Sequence, residues 1–162
     1  MTRTYAFYER NGGVHGAETM RPLSMTSLMS KHPLSLTSED RILDAMNLMR
    51  EREVRHIPIV DPVSGKLEGL VTELDLLRNV LHGRTLTPAE SYHASLDVML
   101  PLSEVMVRQV RTVRVDAPVM EVVGLFLEHK IRCAPVVDGN GRLEGIVTET
   151  DLMRLLAHMV GN

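Results

Sequence analysis

The sequence predicts an α+β chain built from two βαββα repeats, related by an approximate twofold axis and packed through their sheets. Three observations lead there. The segment LEGLVTELDLLR at 67–78 returns as LEGIVTETDLMR at 143–154, with nine of twelve positions identical. Upstream, RHIPIVD at 55–61 returns as RCAPVVD at 132–138, so the offset changes from 77 to 76 through one residue lost in the intervening turn. The matching reaches back to Met29 and Met106, which makes each unit roughly 50 residues long, too small to bury a comfortable core alone. Two such units are expected to form one domain from two halves.

The elements follow in order. Residues 1–22 hold Asn11-Gly12-Gly13 and no sustained period, and are expected to be a tail or a short added element. The first repeat takes 23–82, a connector 83–101 and the second repeat 102–160. In each repeat a short β-prone stretch, near Leu34–Leu36 and near Val110–Val115, leads into helix-start chemistry. That chemistry is Thr37 and Ser38 before Glu39 and Asp40, and Asp116 before Ala117 and Pro118. The helices expected from there bury Ile42, Ala45, Met46 and Met49 in one copy and Val119, Val122, Val123 and Phe126 in the other. IPIV and APVV then predict strands, DPVSGK and DGNGR turns, and LEGLV and LEGIV return strands, which makes two antiparallel hairpins. A closing helix is expected over 73–81 and over 149–159. In the connector, Thr87 before Pro88, Ala89 and Glu90 marks a capped helix start, with Leu96, Met99 and Leu100 offering a packing face. Gly69 and Gly145 predict close backbone packing at the return strand, within the fold or around a ligand, because a missing Cβ permits close approach.

Composition narrows the function. Hydrophobic residues make up 44% of the 162 and charged residues 24%, which fits a compact globular chain and excludes wholesale disorder. Aromatics are only 3%, with no Trp and 11 Met, so the core is aliphatic and Met-filled and stacking platforms for single strands are scarce. A net charge of -3 supplies no field for a polyanion, so nucleic-acid partners are disfavoured. Cys133 stands alone, without an internal disulfide partner, and points to a reducing, cytoplasmic compartment. The longest nearly apolar stretch, Val119–Leu127, is interrupted by Glu121 and far too short to span a bilayer, and the N-terminus has no signal-peptide core. The seven histidines, among them His15, His32, His82 and His93, show no metal-ligand spacing. No nucleophile elbow, phosphate-binding P-loop or GxGxxG occurs. An enzyme is not expected.

What the repeat does contain is Thr-x-x-Asp, twice, where a strand gives way to a helix: Thr72 to Asp75 and Thr148 to Asp151. Backbone N–H groups at such a junction point outward and favour an anion or polar ligand. An Asp there is able to accept from both hydroxyls of a ribose. The same spacing also makes a capping box, Asp replacing the usual Glu, which would stabilise the helix with no ligand at all. Both readings stand on the sequence.

The duplicated strand motif ending in Asp61 and Asp138, followed by Gly-hydrophobic-Val-Thr-x-x-Asp at 69–75 and 145–151, resembles the cystathionine-β-synthase (CBS) domain family. The tandem arrangement, over about Leu23 to Met159, looks like a CBS pair, or Bateman module. The resemblance implies a non-catalytic sensor that takes an adenosine-containing ligand, such as AMP, ADP or ATP, in the cleft between the halves and signals to a partner protein. It implies a homodimer, and, with no output domain attached, action in trans. Within the cleft it implies ribose contact at Asp75, Asp151, Thr72 and Thr148, and phosphate contact at Arg55, His56 and Arg132. The planar guanidinium suits phosphate oxygens, though surface arginines also commonly pair with acidic neighbours. Ser35, Ile57, Thr112 and Ala134 would line the base, or serve as ordinary strand residues. Cys133 stands where His56 does, which makes the two clefts chemically unequal. The other functions to be distinguished are a nucleic-acid-binding CBS module and a structural dimerisation module with empty clefts.

Overall fold

A computed structural model describes residues 24–81 and 98–160. Its elements run α1 (Met25–Leu28), β1 (Ser30–Lys31), α2 (Ile42–Arg52), β2 (His56–Val60), β3 (Leu67–Thr72) and α3 (Glu73–Leu81) in the first stretch. The second holds a 3-10 turn (Leu102–Glu104), β4 (Val113–Arg114), α4 (Val119–His129), β5 (Cys133–Val137), β6 (Leu143–Thr148) and α5 (Glu149–Val160). The tail at 1–22 and the connector helix expected from Thr87 lie outside the described residues.

The duplicated pattern folds as two copies of one unit. β2 pairs antiparallel with β3, setting Ile57 against Val71, and β5 pairs with β6, setting Ala134 against Val147. The first β-stretch of each copy joins its hairpin in parallel. Val113 and Arg114 pair with Val136 and Val137, while Leu36 makes an isolated bridge to Ile59 with hydrogen bonds to Pro58 and Val60. Ile42, Ala45 and Met49 pack one face of α2 on the first hairpin, and Val122 and Phe126 do so for α4 on the second. Both helices end on a residue in the left-handed conformation, Glu53 (φ 54) and Lys130 (φ 53).

The helix starts differ from the sequence expectation. Thr37 and Ser38 do not begin α2; Asp40 folds back, its Oδ2 accepting from Thr37 N (2.7 Å) and Thr37 Oγ1 (2.9 Å), and closes a separate turn. The helix starts at Ile42, where Asp44 accepts from Arg41 N at 3.0 Å. Asp116 likewise accepts from Arg114 at 2.9 and 3.1 Å, and α4 begins after Pro118. Short polar side chains stabilise turns by the same hydrogen bonds that cap helices, so the two are alike in sequence. Met99 and Leu100 remain 43% and 42% exposed and sit in a turn. Their segment acts through its backbone: the carbonyls of Val98 and Leu100 accept from Leu43 N (2.9 Å) and Ile42 N (3.0 Å), satisfying the otherwise unpaired first turn of α2.

The halves are joined in two symmetric ways. At the hairpin turns, Leu67 N donates to Gly141 O (3.0 Å) and Leu143 N to Gly65 O (3.1 Å). At the other ends, the segment leading into each repeat crosses to the hairpin of the other. Ser30 of β1 pairs with Ile146 of β6, and Val107 makes a two-way bridge with Leu70 of β3. Each core is therefore completed from the opposite repeat: Met25 and Met29 pack in the second half, Leu102 and Met106 in the first. This explains the two glycines. A Cβ on Gly69 would lie 2.7 Å from Met106 Sδ and 3.1 Å from Val107 O, and one on Gly145 would collide with Met29 Sδ.

Candidate functional site

At the end of β3, the Thr72 hydroxyl donates to Asp75 Oδ2 at 2.6 Å and its amide at 3.1 Å, and Asp75 N donates to Thr72 Oγ1 at 3.2 Å. The second copy repeats this, with Thr148 Oγ1 and N donating to Asp151 Oδ2 at 2.7 and 2.8 Å. The capping reading is thus present at both helix starts. Asp151 is also approached by Arg154 Nη1, 3.4 Å from its Oδ1, and it is the buried charged side chain among the described residues.

Arg55 and Arg132 arrive at the same junctions through the backbone. Glu73 N donates to Arg55 O and Glu149 N to Arg132 O, each at 3.0 Å, so each arginine lies beside the first residue of the closing helix. Their side chains face those glutamates: Arg55 Nε is 3.8 Å from Glu73 Oε2, and Arg132 Nε is 3.8 Å from Glu149 Oε2. All four are more than half exposed, so each pair contributes only about 0–1 kcal/mol. Glu73 and Glu149 were not singled out in the sequence, although both follow the repeated Thr directly; Arg154 was likewise missed, at the last position of the repeated segment.

His56 lies opposite Thr72 across the first hairpin, and Cys133 lies opposite Thr148 across the second. Burial and the Arg55 guanidinium hold the imidazole below its ordinary value, with Asp75 and, from the other half, Glu149 pulling weakly upward and Arg132 downward. His56 is therefore neutral at pH 7 and sits within electrostatic reach of both halves. Burial pushes the Cys133 thiol up to about 12, so it is a neutral, unreactive group.

Ser35 and Thr112 are exposed, next to Leu36 and Val113 in the parallel strand positions. Ile57 and Ala134 have no exposed surface, backbone included, and belong to the two cores, so they do not line a base as the sequence suggested. One cavity of about 300 Å³, between α1 and α5, reaches Asp151, Arg154 and His158. Another, of about 410 Å³, lies between α2 and α3 and is lined by Met46, Met49, Val54 and Leu76, with Glu73 at its edge. Among the described residues there is no group of three or more potential metal ligands, and no helix is long and apolar enough to cross a membrane.

Comparison with known proteins matches this architecture. The chain is 28% identical over 145 residues to an uncharacterized protein of Methanocaldococcus jannaschii, covering 88% of this chain and 34% of that protein. It is 30% identical over 128 residues to the L-aspartate semialdehyde sulfurtransferase of the same organism, covering 79% of this chain and 22% of the enzyme. The chain thus spans about a third or less of these relatives. Among solved structures, a Vibrio cholerae protein assigned to acetoin utilization superposes with a TM-score of 0.71 at 32% identity, covering 86% of this chain and 93% of that one. The CBS domain pair of protein MJ0100, solved in complex with 5′-methylthioadenosine and S-adenosyl-L-methionine, superposes with a TM-score of 0.69 at 29% identity, covering 83% and 99%. The CBS domain model matches twice, over 25–82 and 102–158, in register with the two structural copies, and on that match the chain belongs to the CBS domain family as a tandem CBS pair.

Proposed function

We propose that this chain is a non-catalytic regulatory module that binds an adenosine-containing ligand between its two CBS repeats and passes the occupancy to a partner protein. The observation that carries the reading is the duplicated junction, where an Arg, a Thr and an Asp meet at a strand end and a helix N-terminus in both halves. That set offers a carboxylate for ribose hydroxyls and a guanidinium for phosphate. The CBS pair crystallised with methylthioadenosine and S-adenosylmethionine supports the same ligand class. In this reading Asp75, Asp151, Thr72 and Thr148 hold the ribose, Arg55, Arg132 and His56 face a phosphate such as that of AMP, and Ser35 and Thr112 border the base.

The module works by population shift. A ligand changes the arrangement of the halves, or of a homodimer, only as far as it binds one arrangement better than another. It acts in the cytoplasm, where Cys133 stays reduced. The test is isothermal titration of AMP, 5′-methylthioadenosine and S-adenosylmethionine into the wild type, Asp75→Asn and Asp151→Asn. Loss of a hydrogen bond to a charged group lowers affinity by about 1.5–3 kcal/mol at the altered cleft. Because each Asp also caps its helix, each variant is expected to lose about 1 kcal/mol of folding stability as well. Undiminished binding in both variants sinks the site, and absence of binding by the wild type leaves the structural dimerisation module and the nucleic-acid-binding module.

A further inference from the structure

The two arginines assigned to phosphate are each held by a carboxylate, in the same geometry in both halves. Arg55 lies 3.8 Å from Glu73 and Arg132 lies 3.8 Å from Glu149, and in each copy the glutamate amide donates to the arginine carbonyl at 3.0 Å. That backbone bond fixes the glutamate beside the arginine however its exposed side chain moves. Asp75 and Asp151 add a second carboxylate to each helix start, two residues further along. Neither junction therefore presents uncompensated positive charge, and His56, neutral at pH 7, adds none.

We propose that Glu73 and Glu149 determine which adenosyl ligand the cleft accepts, excluding nucleotide di- and triphosphates in favour of ligands carrying one phosphate or none. The inference rests on the adenosyl-binding reading and adds to it a discriminating residue in each half. A phosphate gripping either guanidinium displaces the ion pair and comes to lie near the displaced carboxylate, where each further negative charge is repelled. An uncharged nucleoside meets no such penalty. A sulfonium nucleoside, bearing positive charge, is attracted.

The experiment is isothermal titration of adenosine, AMP and ATP, in magnesium-free buffer, into the wild type, Glu73→Gln, Glu149→Gln and the double variant. Both glutamates are about half exposed, and Gln retains the backbone donor and the side-chain volume, so the fold is expected to persist. The wild type binds AMP at least as tightly as ATP. In the double variant adenosine shifts less than about twofold, AMP tightens about threefold and ATP about tenfold, a gain that scales with ligand charge. Tighter binding of ATP than AMP by the wild type overturns the inference while leaving the adenosyl reading intact, as does an equal shift for all three ligands. Binding by the wild type of none of the three, nor of 5′-methylthioadenosine or S-adenosylmethionine, overturns both.

Discussion

His56 and Cys133 occupy one position of the repeat and carry different chemistry there. The thiol, with its pKa at about 12, contributes no charge at any physiological pH. The imidazole does respond to pH. Its folded pKa is lowered, first by burial and then by Arg55, below the ordinary 6.5 of the unfolded chain. As pH falls through 6.5 the unfolded chain takes up a proton that the folded chain resists, so the contribution of this group to stability is complete above 6.5 and is lost on acidification. Melting curves recorded between about pH 7.5 and pH 5.5 should show stability falling with pH, and His56→Gln should make that fall shallower. An unchanged slope in the variant would place His56 in an environment like water. The sequence marked this position as unequal between the repeats; it could not give the direction, because burial and the charges of the opposite half come from chain segments far away in sequence.

At the scale of elements, the legible features were those whose signal is local. The two hairpins and closing helices lie where the repeated segments placed them, since strand alternation, turn residues and helical spacing are all written within a dozen residues. The crossing of Ser30 to Ile146 and of Val107 to Leu70 was not legible. A two-residue strand has no period, and its partner lies in the other copy. Its only trace was Gly69 and Gly145, whose bare Cα atoms make room for Met106 and Met29. The candidate site was legible in part for the same reason. Thr-x-x-Asp is a local spacing, whereas the pairing of Arg55 with Glu73 depends on a strand start meeting a helix start 18 residues on. The interlock gives a prediction. Gly145→Ala should cost about 1–3 kcal/mol through overpacking, and Met29→Ala about 2–5 kcal/mol through the cavity it leaves. The two changes act on one contact, so the double variant should lose less than the sum of the single losses in urea unfolding. Strict additivity would mean that Met29 and Gly145 are not energetically coupled.

At the scale of the whole molecule, neither half holds a complete core of its own, since Met25 and Met29 belong by packing to the second half and Leu102 and Met106 to the first. The segment 98–160 alone lacks the side chains that close its core, but it carries a leading segment, bridging through Val107, that fits a hairpin like its own. It is expected to form a dimer in which two identical copies trade leading segments, and light scattering on the purified fragment checks this. A folded monomer would show that the crossing is dispensable.

The exchange of leading segments also bears on how such a chain arises. A single repeat needs a second copy before it has a core, and the second copy need not be covalently attached. Fusing two copies turns a bimolecular encounter into an intramolecular one, with an effective concentration of order millimolar for a short flexible link. Once fused, the copies no longer have to be identical. His56 stands in one copy and Cys133 at the matching place in the other, because each leading segment now has one fixed recipient and the two halves are free to diverge.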